Sequence, residues 1–231
     1  MTIKAIFFDA GNTLLFLDHR VVLPILREYG SRAGPEEFRE AEFGARIQLT
    51  RRVEEGAFGT EGHIWQEYFR NLFMAAGVPE GRLEALGERI RGVHREQHLW
   101  TYMAPSTPPA LDRLRAAGYR LSVISNADGR VEALIEGAGI RDRFEFILDS
   151  EVEGVEKPDP EIFLRACARM EVDPGDSLYV GDLYPVDVLG SRRAGLHAVL
   201  LDPLDQLDYP VDRLPDVGAL PAYMDRLSRR A

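Results

Sequence analysis

Cysteine and lysine are the scarce residues of this chain. Its single cysteine, Cys167, excludes an internal disulfide, so the 231 residues must hold together through an apolar core. A reducing compartment fits, and the apolar run at the N-terminus is too short for a signal peptide, so a cytoplasmic protein is expected. No apolar stretch approaches the ~20 residues that cross a bilayer, and no membrane partner is expected. There are two lysines, Lys4 and Lys157, against 38 acidic residues, and the net charge is -10. That balance disfavours nucleic acid as a partner; the pairs Arg51-Arg52 and Arg229-Arg230 are too short to reverse it. A Walker phosphate loop and a dinucleotide glycine motif are both absent. Oligomeric state cannot be read.

What is present begins with residues 3 to 13, Ile-Lys-Ala-Ile-Phe-Phe-Asp-Ala-Gly-Asn-Thr. An apolar run stops at Asp9 and turn residues follow, the pattern of a buried strand that ends in a carboxylate. From about Asp18 to Leu99 only helical segments are expected: Val21 to Tyr29, Pro35 to Arg52, Gly62 to Ala76 and Arg82 to Leu99. The last carries Leu83, Leu86, Ile90 and Val93 on one stripe. After the proline-rich segment Tyr102 to Pro109, helix and strand alternate, with strands at Tyr119 to Ile124, Phe144 to Leu148, Ser177 to Val180 and His197 to Leu201. Such alternation implies a parallel sheet with helices on both faces. The expected fold is α/β: a Rossmann-like three-layer core with a parallel sheet, residues 1–16 and 104–231, plus an inserted all-helical cap domain, residues 17–103.

Asp9, Ser125, Lys157 and Asp182 fall at strand ends or in the loops beyond, with Asp187 five residues after Asp182. In a parallel sheet these ends emerge on one edge, where open α/β sheets bind ligands. Carboxylates with one cation suggest phosphoryl transfer: Asp9 as nucleophile, Asp9 and Asp182 on Mg²⁺, and Ser125 and Lys157 on the phosphoryl group.

The motifs Asp9-Ala-Gly-Asn-Thr13, Ser125-Asn126, Lys157-Pro158-Asp159-Pro160 and Gly181-Asp182 with Asp187 resemble, in order, those of the haloacid dehalogenase superfamily of hydrolases, and the helical insertion stands where its helical-cap subgroup carries one. The resemblance implies that Asp9 is the nucleophile and a Mg²⁺ ligand, joined by the carbonyl of Gly11, by Asp182 and by Asp187 through water. It also implies that Thr13, Ser125, Asn126 and Lys157 support Asp9 and the phosphoryl group of a small phosphorylated metabolite.

Two positions depart from the pattern. Phosphatases of the superfamily usually carry a second Asp where Gly11 stands; it protonates the leaving oxygen and then activates water, help worth typically ~10²–10⁴ in rate. Asn12 replaces a common Gly. A slow or specialised Mg²⁺ phosphohydrolase follows, with water, substrate or a cap residue such as His19, His63 or Tyr68 moving the proton. A metal-independent 2-haloacid dehalogenase is the alternative, with Arg39, thirty residues after Asp9, binding the halide or carboxylate; Arg39 reads more readily as a solvated helix residue beside Glu40 and Glu42. Gly181-Asp182 is the metal-binding form of the fourth motif and weighs against it. Phosphonate cleavage needs a cap lysine, which the chain lacks. A non-catalytic phospholigand- or partner-binding protein is the reading of another class.

Overall fold

The computed structural model describes residues 2–56 and 62–229, with the side chains of 62–64 left aside; His63 and Arg230 therefore lie outside the described residues and side chains. The chain divides into two compact units, Met1–Phe16 with Met103–Ala231, and Leu17–Tyr102.

Strand β1 (Ala5–Phe8) is buried at every residue because both its faces are covered, which is why it reads as an unbroken apolar run. A short β2 (Phe16–Leu17) follows. The second unit then runs through helices α1 (His19–Glu28), α2 (Pro35–Glu54), α3 (Gly62–Ala75) and α4 (Leu83–Glu96) to β3 (Trp100–Tyr102). Asp18 caps α1 by accepting from the Arg20 N–H at 2.9 Å, and Pro35 opens α2 where a missing N–H costs nothing. Of the expected α4 stripe, Leu83, Leu86 and Ile90 are buried and Val93 is half-buried. They join Leu26, Leu72 and Phe73 among the buried side chains of this unit. β2 and β3 form a two-stranded sheet. Neither was expected, because two or three residues cannot show a period.

The first unit resumes with α5 (Thr107–Ala116), β4 (Arg120–Ser125), α6 (Val131–Gly137), β5 (Ile147–Asp149), α7 (Ser150–Glu153), α8 (Pro160–Arg169), β6 (Ser177–Gly181), α9 (Leu189–Arg193), β7 (His197–Leu201), β8 (Asp212–Leu214) and α10 (Leu220–Ser228). Its six-stranded sheet has the order β5-β4-β1-β6-β7-β8, with parallel pairing throughout. This is a Rossmann-like α/β fold. The chain leaves β1 towards β4 and β5, then returns to lay β6, β7 and β8 on the other side. Connections thus diverge between β1 and β6, a switch point of the kind where doubly wound sheets open a crevice. Cys167 is buried on α8, 3.8 Å from the Ser177 hydroxyl, and burial pushes its thiol pKa up. No helix among the described residues is long and apolar enough to cross a membrane.

Candidate active site

Phe8 pairs with Val180, so Asp9 leaves β1 level with Gly181 at the switch point, and its N–H donates to the Val180 carbonyl at 2.9 Å. The turn beyond it is closed by the Leu14 and Leu15 amides on the Ala10 carbonyl and by the Asn12 N–H on Leu15 O. None of these bonds uses the Gly11 carbonyl. Asn12 has φ 54°, in the left-handed region where Asn is tolerated next best to Gly; this is the physical sense of the exchange at that position. Thr13 is buried and its Oγ1 has no hydrogen-bond partner.

Lys157 is brought to Asp9 by a loop held at both ends. Both ends of the Asn126 amide bond to it, Nδ2 donating to Lys157 O and Oδ1 accepting from Lys157 N, each at 2.8 Å. The side chain expected on the substrate thus also fixes the lysine loop. Beyond the cis Lys157-Pro158 bond, Asp159 caps α8 through the Glu161 N–H at 2.9 Å and Pro160 takes its first turn. An ammonium has three N–H donors, and here they end on Asp9 Oδ1 at 2.6 Å, Asp187 Oδ1 at 2.8 Å and Tyr179 Oη at 2.9 Å.

Tyr179 is the residue that sequence reasoning missed. Its hydroxyl accepts from Lys157 and donates to Ile124 O at 2.9 Å, so one phenol ties β6 to the residue before Ser125. Its ring packs edge-on against Phe163, centroids 5.0 Å apart. A hydroxyl inside an otherwise apolar buried strand was the available signal. Ser125 itself is buried at the end of β4.

Asp187 lies in a single π-type turn, Tyr184–Val188, an irregularity that frequently marks functional sites. Its Oδ2 accepts the backbone amides of Asp182 and Leu183 at 3.0 and 2.9 Å. That approach requires Gly181: a Cβ there would lie 2.4 Å from the Asp187 carboxyl carbon. Gly190 plays the same part for the lysine loop, since a Cβ would lie 3.0 Å from the Pro158 Cα. Asp9, Asp182 and Asp187 are all buried and each offers an oxygen within 4.8 Å of the others.

The electrostatics follow from one cation among three buried carboxylates. Burial pushes the Asp9 pKa up to about 6; attraction to Lys157 opposes this and the Asp187 charge adds to it. Burial also works against the Lys157 ammonium, but Asp187 and Asp9 together outweigh it and hold its pKa well above the ordinary lysine value. Asp9 shifts upward because burial outweighs the pull of Lys157, and Lys157 shifts upward because two carboxylates outweigh its burial. Burial, with the two carboxylates, raises Tyr179 well above a free phenol and keeps it neutral.

The remaining expected residues lie in the helical unit. Arg39 is exposed on α2. Tyr68 is buried and donates to Glu42 at 2.8 Å, beside the Glu42–Arg46 ion pair, so its proton is used within its own unit. His19 stacks edge-on to Tyr102 at 5.0 Å.

A family model of haloacid dehalogenase-like hydrolases matches residues 3–195. The chain belongs to that family. It is 29% identical to the haloacid dehalogenase-like hydrolase domain-containing protein 3 of Bos taurus, over 96% of this chain and 91% of that one. A glyceraldehyde 3-phosphate phosphatase of Methanopyrus kandleri is 31% identical, over 85% of this chain and 83% of its own length. Among solved structures, the magnesium-bound HAD-hydrolase YfnB of Bacillus subtilis superposes with a TM-score of 0.67 at 20% identity, covering 97% of this chain and all of that one. At that identity the likeness speaks for the fold. The chain is thus a haloacid dehalogenase-like hydrolase with phosphatases among its relatives.

Proposed function

We propose that this protein is a Mg²⁺-dependent phosphohydrolase that acts on a small phosphorylated metabolite through an aspartyl-phosphate on Asp9. The observation that carries the reading is the acidic cluster. Asp9, Asp182 and Asp187 set three carboxylates in a buried space with one ammonium among them. Like charges so close in low dielectric repel strongly, and a divalent cation removes the excess. Hard oxygen donors of this kind, with the Gly11 carbonyl outside the bonds of its turn, suit Mg²⁺. When bound, the ion would neutralise charge on the transferring phosphoryl group.

In this reading Asp9 attacks phosphorus with the oxygen that does not face Lys157. Lys157 steadies the carboxylate and offsets the phosphoryl charge; Ser125 and the unpartnered Thr13 hydroxyl donate to phosphoryl oxygens. Water then attacks the aspartyl-phosphate and frees Asp9. We assign the helical unit, Leu17–Tyr102, the part of a cap that supplies substrate specificity, and the cytoplasm as the setting.

The acidic cluster also weighs against metal-independent dehalogenation, because it offers three buried carboxylates to a cation. The test is phosphate release from a panel of phosphorylated metabolites with Mg²⁺, with chelator and with Asp9→Asn. Activity is expected to vanish with chelator and to fall at least ~10³-fold in the variant. Chelator-resistant halide release would establish the dehalogenase instead, and tight phosphate-analogue binding without turnover would establish the binding protein.

A further inference from the structure

We propose that the site selects activated phosphates, acyl phosphates foremost, whose leaving group departs as a stable anion. The inference rests on the phosphohydrolase reading above and names its substrate class.

The protons of the first unit's site residues are already committed. Position 11, beside the nucleophile's turn, is glycine and has none to give. All three Lys157 N–H groups end on Asp9, Asp187 and Tyr179, and the Tyr179 proton lies on Ile124 O. Asp187 accepts from Lys157 and from two backbone amides. The carboxylates at neighbouring strand ends are occupied in the same way: Asp149 by the amides of Val131 and Glu151, and Asp202 by those of Gln206 and Leu207. Among the described residues of this unit the one imidazole, His197, stands at the first residue of β7, on the opposite edge of the sheet, 3.0 Å from Gly175 O. Of the other polar side chains placed at this site, Asp182 belongs to the carboxylate cluster assigned to the metal, which leaves Ser125 and Thr13, and an aliphatic hydroxyl is too weak an acid to protonate a leaving oxygen.

The consequence is chemical. As an Asp9 oxygen bonds to phosphorus, the bond from phosphorus to the leaving oxygen breaks and that oxygen keeps the electron pair. A sugar or glycerol ester must release an alkoxide, whose conjugate acid is about as weak as water, with a pKa near 15.7. Without an acid such a step forfeits the ~10²–10⁴ that proton donation supplies. A carboxylate, with a conjugate acid near pKa 4, or a phenolate, near 10, leaves with little or no help. The second step breaks the Asp9–phosphoryl bond, itself an acyl phosphate, so its leaving group needs no acid, and the protons of the attacking water leave on the phosphate. Acyl phosphate dianion plus water gives carboxylate plus dihydrogen phosphate, and atoms and charge balance.

The experiment measures kcat/KM with Mg²⁺ for acetyl phosphate, a series of aryl phosphates and glycerol phosphate, in wild type and Gly11→Asp. Wild type is expected to favour acetyl phosphate over glycerol phosphate by at least ~10³, with rates across the aryl series falling steeply as the phenol becomes less acidic. Gly11→Asp should raise glycerol phosphate turnover ~10²–10⁴ and acetyl phosphate turnover less than tenfold. A flat aryl series in wild type, which needs no variant to fold, or glycerol phosphate within tenfold of acetyl phosphate, would overturn the proposal and leave the phosphohydrolase reading intact. No release from any donor and no phosphorylation of Asp9 by labelled acetyl phosphate would overturn both.

Discussion

Replacing Lys157 with methionine keeps the length of the stem and removes the one ammonium that meets the buried carboxylates. Its three bonds, to Asp9 at 2.6 Å, Asp187 at 2.8 Å and Tyr179 at 2.9 Å, disappear together. Breaking a buried ion pair by deleting one partner costs about 3–5 kcal/mol, because the other charge is left unpaired. Two carboxylates are stranded here, so the upper half of that range is expected for the metal-free protein near pH 8. The sign of the pH dependence is fixed by Asp9. Its folded pKa, about 6, lies above the 3.8 of an ordinary solvated aspartate, so its contribution to stability is present below the lower value and is lost as pH rises through the upper one. Removing Lys157 removes the attraction that opposes burial, so the folded pKa climbs further. The variant's deficit should therefore be smallest near pH 5.5, where Asp9 takes up a proton, and should grow towards pH 8. Urea unfolding followed by circular dichroism, with chelator, measures both points. Excess Mg²⁺ should then restore part of the loss, about 2.7 kcal/mol at one hundred times Kd. A deficit under ~1 kcal/mol near pH 8, or the same deficit at both pH values, would refute the charge argument.

Other outcomes follow from the same geometry. In metal-free wild type, ionisation of Asp9 between 3.8, where an unfolded chain releases the proton, and about 6 should cost roughly 3 kcal/mol of stability. That slope should be absent in Asp9→Asn and suppressed by Mg²⁺, as read by unfolding across that range. Tyr179→Phe strands one Lys157 N–H and the Ile124 carbonyl; a loss of about 1.5–3 kcal/mol is expected, with kcat falling more than KM rises in steady-state assays. Gly181→Ala sets a methyl 2.4 Å from the Asp187 carboxyl carbon, so that carboxylate must leave its two amides. Mg²⁺ affinity by calorimetry should drop at least tenfold, and wild-type affinity would show that the close approach is dispensable.

The parts that could be read in the sequence were those with a local cause. Asp9 stood out because it interrupts an apolar run, and the parallel sheet because helices and strands alternate. Gly181 and Asp182 were legible as a motif, although the reason for the glycine, the carboxylate of Asp187 lying over it, is a tertiary fact. β8 was missed because Asp212 and Arg213 are exposed and only Leu214 is buried, the charged and short form of an edge strand. Tyr179 was missed because its two partners, Ile124 and Lys157, are far from it in sequence. That the Asn126 amide also holds the backbone of Lys157 could not be read, since the two residues lie 31 apart in sequence.

The position of β1 also bears on how the chain is made. It comes before both its neighbours in the chain and sits inside the sheet, between β4 and β6, whose pairing residues lie at 120–123 and 177–180. Until those segments leave the ribosome, Ala5–Phe8 emerges with both edges unpaired and every side chain apolar. Only the helical unit, Leu17–Tyr102, can gather its own contacts meanwhile. The nascent chain therefore carries an exposed apolar strand from the making of β1 until β6 arrives, and that interval is when a chaperone would find it.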